Sequence, residues 1–228
     1  IDEMCMIKNA FPIEAKAVGG RHFKTIERNG EHLEAVDQNF DSYGVEYTFA
    51  DGAKAIFEGR NMPGCNQEFA AYAHGTKGSA VISSAGHVPA RSRLYKDQNI
   101  DSNWRGKPDN LLWAFPTGPR GVNLEGNPYD IEWEVLLEAI RENKEHNEVE
   151  RGIAASVTTS MGRMAAHTGQ VITYDQMLNQ PNPMAPEIKD LTLDGKSPLM
   201  PDADGHYPKP EPGVLKDREY AYGDDLTV

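Results

Sequence analysis

The segment Gly59-Arg60-Asn61-Met62-Pro63-Gly64-Cys65-Asn66-Gln67 carries a guanidinium, carboxamides and a thiol out of a strand and into a Pro-Gly turn. Polar loops at the ends of sheets can hold hydroxyl-rich ligands. A strand-terminating turn with a solvent-facing arginine accounts for the same residues. Gly19-Gly20-Arg21-His22 sets an imidazole two residues after a Gly-Gly bend, where a surface histidine is the plainer alternative to a functional one. Asp202-Ala203-Asp204-Gly205 with Glu211 matches part of the ligand spacing of a calcium loop, but Met200 stands at the first ligand position and Pro208 and Pro210 forbid the exit helix. A solvated turn is the better description.

Other chemistry is thinner. Glu134, Glu138, Arg141, Glu142, Lys144 and Glu145 have the spacing of a solvated helix face with ion pairs one turn apart. Cys65 has no base beside it in sequence to make it a nucleophile, and Lys77 sits in a hairpin turn as a solvated cation. The chain has no G-x-G-x-x-G after a strand, no Walker loop, no G-x-S-x-G and no H-E-x-x-H, and its seven histidines are scattered. No metal site is expected from it.

The 228 residues carry a formal net charge of -12, which repels a phosphate backbone and anionic lipid and argues against a nucleic-acid reader. With 39% apolar residues and a mean hydropathy of -0.61, no run approaches the roughly 18 apolar residues of a spanning helix. Cys5 and Cys65 read as two separate thiols. Ile1 is no initiator, and the first residues lack both a basic region and an apolar run, so the sequence reads as a piece of a longer chain.

Alternation of Ile13, Ala15 and Ala17 with Glu14 and Lys16 predicts a strand ended by Gly19-Gly20. Val45, Tyr47 and Phe49, then Asp51-Gly52, then Ala53 to Phe57 predict a hairpin; Phe69 to His74, Gly75 to Gly78 and Ser79 to Ser83 predict another. From Tyr129 the period changes, and Trp133, Leu136, Leu137 and Ile140 share one face of a helix ending near Asn143. Asn147 and Glu150 open a second helix with the stripe Val149, Ile153, Val157, Met161 and Met164, stopped at Gly169. Its many small residues predict a central, buried helix. Thr173 with Gln176 caps a short helix through Leu178. Eight of fifteen prolines lie between Pro181 and Pro212, which predicts an extended strap over 181–228. The fold class is α+β: a largely antiparallel open-faced sheet, helices on one face, one domain over 1–180 and the proline-rich strap.

These segments resemble the C-terminal domain of the family of glucose-fructose oxidoreductase, inositol dehydrogenase and MocA-like proteins. The likeness runs through Ile1-Asp2-Glu3-Met4-Cys5 to Pro12, Gly19-Gly20-Arg21-His22, Arg60 to Cys65 and Gly75-Thr76-Lys77-Gly78. It is most specific over Asn147-Glu148 to Met161-Gly162-Arg163-Met164-Ala165-Ala166-His167-Thr168-Gly169 and Val171-Ile172-Thr173-Tyr174-Asp175. The tail from Pro210-Glu211-Pro212-Gly213 to Asp217-Arg218-Glu219-Tyr220 is similar to a bacterial branch of that family.

The resemblance implies the substrate-binding and oligomerisation domain of a sugar or polyol oxidoreductase dependent on NAD or NADP. Its Rossmann domain and catalytic lysine and histidine are expected ahead of Ile1. Substrate contacts implied by similarity are Arg21, His22, Arg60, Asn61 and His167. A carbohydrate or polyol is the expected partner, with a homo-oligomer formed through the sheet face and no nucleic acid or membrane. The cytoplasm is the expected compartment, or the periplasm if a leader precedes the chain. Two alternatives stay open: a sugar lyase or hydrolase that oxidises its substrate transiently, and a non-catalytic binding or assembly module.

Overall fold

A computed structural model describes residues 1–21, 25–34, 39–84, 91–116, 126–180, 190–195, 203 and 210–213. The elements in chain order are α1 (Asp2–Lys8), β1 (Glu14–Gly20), β2 (Thr25–Arg28), β3 (Glu31–Glu34), β4 (Ser42–Thr48), β5 (Lys54–Arg60), β6 (Ala71–Gly75), β7 (Gly78–Ser83), β8 (Arg93–Tyr95), β9 (Leu111–Ala114), α2 (Pro128–Arg141), α3 (Val149–Thr168), β10 (Ile172–Thr173) and α4 (Tyr174–Leu178). Every pairing among the described strands is antiparallel and the sheets are open, so the fold is α+β. The contacts divide the chain into two compact units, 1–64 with 150–228, and 65–149.

The first unit is built on a sheet in the order β10-β1-β4-β5. Ala15 stands opposite Tyr47, and Ala17 opposite Val45, so one face of each strand carries the apolar residues. On that face Ala15, Val45, Tyr47 and Ile172 meet Met161, Met164 and Ala165 of α3 in one buried cluster, with Ile1 and Met4 packed against it. Gly162 is where α3 crosses Tyr47: a Cβ there would run into the phenol. The opposite face is wet. Glu46 receives Lys16 at 3.1 Å and Lys54 at 3.0 Å across three strands, and these two ammonium groups, Lys54 first, hold its carboxyl below the usual range. Val18 and Ile56 are exposed on the same side.

The β4–β5 hairpin turns where Asp51-Gly52 predicts it, with Gly52 at φ 83° and the Ala53 amide held by the Asp51 carboxylate. Asn29-Gly30, both at positive φ, turns a further hairpin between β2 and β3. The predicted box at Thr173 and Gln176 caps α4. Gly169, at φ 73°, ends α3. Pro210 is buried, and the Gly213 amide donates to the Thr168 carbonyl at 2.9 Å. Apart from 190–195, 203 and 210–213, the expected strap lies outside the described residues.

Helix α3 departs from expectation in its first half. Val149 and Ile153 are exposed, whereas Met161, Gly162 and Met164 to Thr168 are buried. A helix of this length runs about 30 Å. The central burial predicted for the whole helix therefore holds only for its last turns.

In the second unit, β6-β7-β8-β9 form a sheet whose Ser79, Val81, Arg93 and Tyr95 are buried. The loop 96–110 closes on itself through the Lys96 amide on the Asn110 carbonyl and the Asn110 carboxamide on Asp97 and Asn99. It reaches the sheet through Ser79 on the Asp97 carbonyl and Arg93 on the Gly106 carbonyl. Helix α2 forms as predicted, capped by Asn127, but Trp133 is 60% and Ile140 65% exposed and Ala139 alone is buried. No described helix is long and apolar enough to cross a membrane.

Candidate functional site

One end of the first unit's sheet gathers most of the residues singled out in the sequence. Gly20, Ser42 and Arg60 are neighbours in one row across β1, β4 and β5. Arg21, Asp41 and Asn61 leave the sheet together at this end: the Asp41 amide donates to the Gly20 carbonyl at 3.0 Å and the Asn61 amide to the Asp41 carbonyl at 2.9 Å. Arg60 and Asn61 are exposed, and Arg21 is partly buried. By strand alternation Arg60 shares the face of Glu58 and Ser42, opposite to the face of Tyr43 and Gly59. His22 lies outside the described residues.

One row further in, Gly19, Tyr43 and Gly59 line up on the face that α3 covers. His167, in the last turn of α3, is 1% exposed, and its Nε2 lies 2.8 Å from the Tyr43 hydroxyl. That hydroxyl also accepts the Phe40 amide at 2.9 Å. A phenol receiving one N–H has its own proton to give, which suits an imidazole accepting at Nε2. Burial, with the Arg163 charge one turn away adding to it, pushes His167 down to about 3, so the ring is neutral across the ordinary pH range. The ring of Phe40 meets His167 edge-on at 4.8 Å, and that of Tyr43 stacks on it at 5.8 Å. Of these three rings only Tyr43 is not buried.

Gly19 makes room for this cluster. A Cβ on it would come within 2.6 Å of Phe40 Cδ2 and 2.8 Å of the Ser42 carbonyl oxygen. Arg163, one turn before His167, donates from Nε to the Asn39 side-chain oxygen at 3.1 Å and so ties α3 to the segment that leads into β4.

The structure therefore brings Arg21, Arg60 and Asn61 to one sheet end, and sets His167 behind Tyr43, one row inward. Tyr43, Phe40, Asn39 and Arg163 are the participants that sequence inspection missed. Tyr43 could have been found by extending the Val45–Tyr47 alternation back by two, and Arg163 by counting one helical turn back from His167. Chemically, the arrangement offers hydrogen-bond donors and acceptors at the sheet end and a phenol oriented by a neutral imidazole.

Among the described residues no group of three histidine, cysteine, aspartate or glutamate side chains could hold a metal ion. They also hold no parallel strand pair, hence no βαβ unit of the kind that seats a dinucleotide. Cys5 is buried and Cys65 partly so, both as free thiols, and burial raises the Cys5 thiol above its ordinary value.

No protein-family model matches the chain, and no curated protein matches it.

Proposed function

We propose that this chain is the substrate-side and subunit-pairing half of an NAD- or NADP-dependent sugar or polyol oxidoreductase. The observation that carries the proposal is the convergence of Arg21, Asp41 and Asn61 at one end of an open antiparallel sheet whose inner face is covered by α3. An open sheet with one packed face and a polar end is a scaffold suited to holding a hydroxyl-rich substrate against a separate nucleotide domain. In that intact protein the nucleotide exchanges a hydride with a substrate carbon. This chain's own residues would bind and orient the hydroxyls: Arg21 and Asn61 as donors, Asp41 as acceptor, with the Tyr43 phenol held in place by His167. The wet sheet face bearing Lys16, Glu46 and Lys54 would pair subunits through matched charge and the exposed Val18 and Ile56.

The test is an assay of the chain joined to the residues encoded ahead of it, with NAD or NADP and a panel of hexoses, uronic acids and inositols. Net accumulation of reduced nucleotide supports the proposal. Sugar cleavage with no net change in nucleotide would replace it with a lyase or hydrolase that oxidises its substrate transiently. A stable oligomer by light scattering that binds no sugar would replace it with an assembly module.

A further inference from the structure

The second unit holds three arginines around one turn. Arg93 reaches from β8 to the Gly106 carbonyl, to which its Nη1 donates at 2.8 Å. Two residues before Gly106 stands Trp104, and both Arg91 and Arg105 lie over its ring, 4.9 and 4.5 Å from its centre. Among the described residues none of the three guanidinium groups is in an ion pair, although the chain carries twelve more acidic than basic side chains. The Asp101 carboxylate lies beside Gly106, but it accepts the Asn103 amide at 2.8 Å and makes no ion pair with the arginines.

Arg93 is the unusual member. It is 7% exposed, and its Nε is buried with no hydrogen-bond partner. A buried guanidinium is costly unless its donors are met. With Nη1 taken by Gly106, the edge formed by Nε and Nη2 is the one left over, and this is the edge that pairs two-to-two with an oxyanion. The turn that frames it is already fixed. Asp101 and Asn103 hold the amides of Asn103 and Arg105, and the Gly106 amide donates to the Asn103 carbonyl at 2.8 Å. Stacking on Trp104 likewise holds the Arg91 and Arg105 cations in place before any ligand arrives.

We infer that Arg91, Arg93 and Arg105 form an anion site that takes a phosphoryl group, its oxygens meeting the free edge of Arg93 and its charge offset by the two stacked arginines. Three uncompensated cations suit a dianion better than a single carboxylate. The site stands within residues 65–149, and its existence does not depend on the oxidoreductase reading.

The test uses the full chain with Trp113→Phe and Trp133→Phe, which leaves Trp104 as the reporter of the stacked arginines. Inorganic phosphate is titrated at constant ionic strength against acetate and chloride, and glucose 6-phosphate is titrated alongside. The inference expects a saturable change in Trp104 fluorescence with phosphate that acetate does not reproduce. Arg93→Met and the double variant Arg91→Gln with Arg105→Gln should each weaken it at least tenfold, while Arg93→Lys keeps part of it. Tighter binding of glucose 6-phosphate than of phosphate would place the phosphoryl group on a sugar; equal binding would make free phosphate the ligand. A response that acetate matches, or that persists in the double variant, overturns the inference. So does Arg93→Met if it melts at or above the parent temperature and still binds phosphate, because the arginine is then only a packed structural cation.

Discussion

The Tyr43 hydroxyl and His167 Nε2 stand 2.8 Å apart, joining the second residue of β4 to the last turn of α3 across 124 positions of sequence. The contact lies one row behind the sheet end where Arg21, Asp41 and Asn61 emerge. It therefore couples the geometry of that end to the protonation and packing of a buried ring, and the coupling can be measured.

Acid should weaken the fold through His167. In the unfolded chain the imidazole takes a proton near its ordinary 6.5, and in the folded chain only near 3. Between these values the unfolded state binds more protons, so the stabilisation is complete above the upper value and is lost as pH falls toward the lower one. The slope approaches about 1.4 kcal/mol per pH unit for a single group of this kind. Urea melts at pH 7 and pH 5 should show the loss, and His167→Gln should flatten it. An unchanged slope in that variant would remove His167 as the cause.

Removing the Tyr43 hydroxyl should cost more than one hydrogen bond. Tyr43→Phe leaves both the Phe40 amide and the His167 ring without this partner, and about 1 to 3 kcal/mol is expected for stranding buried groups. Tyr43→Phe and His167→Gln together should cost less than the sum of the two, with a coupling of at least about 0.5 kcal/mol. Strict additivity in chemical denaturation would mean that the two side chains do not stabilise one another.

Local signals carried most of the fold. Alternation at Val45 and Tyr47 with Asp51-Gly52, the box at Thr173 and Gln176, and the stop at Gly169 each depend on a few neighbouring residues, and each is where the sequence puts it. Asn29-Gly30 is an equally strong hairpin signal that alternation alone passes over. The site was legible only as separate pieces. Periodicity tells which side of α3 is apolar, but not which of its turns is covered, and Ile153 is exposed while His167 is buried. Likewise Asn127 and Pro128 start α2 whether or not anything covers Trp133. Nor does any local pattern show that Tyr43 and His167 meet, because that contact follows from the sheet register.

Two glycines of α3 should respond oppositely to alanine. At Gly162 a methyl group would be driven into the Tyr47 phenol and would come within 3.1 Å of Val45 Cγ1, deep in the core. Overpacking there should cost about 1 to 3 kcal/mol. Gly152 is exposed with nothing within 4 Å of a Cβ, so Gly152→Ala should stabilise the helix by up to about 1 kcal/mol. Thermal melts of the two variants check both signs. A stabilised Gly162→Ala would mean that α3 does not cross β4 at Tyr47.

If the sheet end holds a sugar, the three positions brought there should not be equivalent. Asn61 follows β5 with its amide bonded to Asp41, and Arg21 follows β1 at the same edge, whereas Arg60 shares the outward face of Ser42 and Glu58, away from Tyr43. In an intact oxidoreductase of the proposed kind, Asn61→Ala and Arg21→Ala should raise KM about tenfold, the size of one lost hydrogen bond to a polar ligand, with kcat little changed. Arg60→Ala should leave both constants near their parent values. Tyr43→Phe should act on kcat as well as KM, since the phenol is the group whose orientation His167 controls, and that defect should deepen in the double variant with His167→Gln only to the extent that the protein itself is destabilised. If Arg60→Ala raises KM while Asn61→Ala does not, the substrate lies against the opposite face of the sheet, and the wet surface of Lys16, Glu46 and Lys54 becomes the place to look for it.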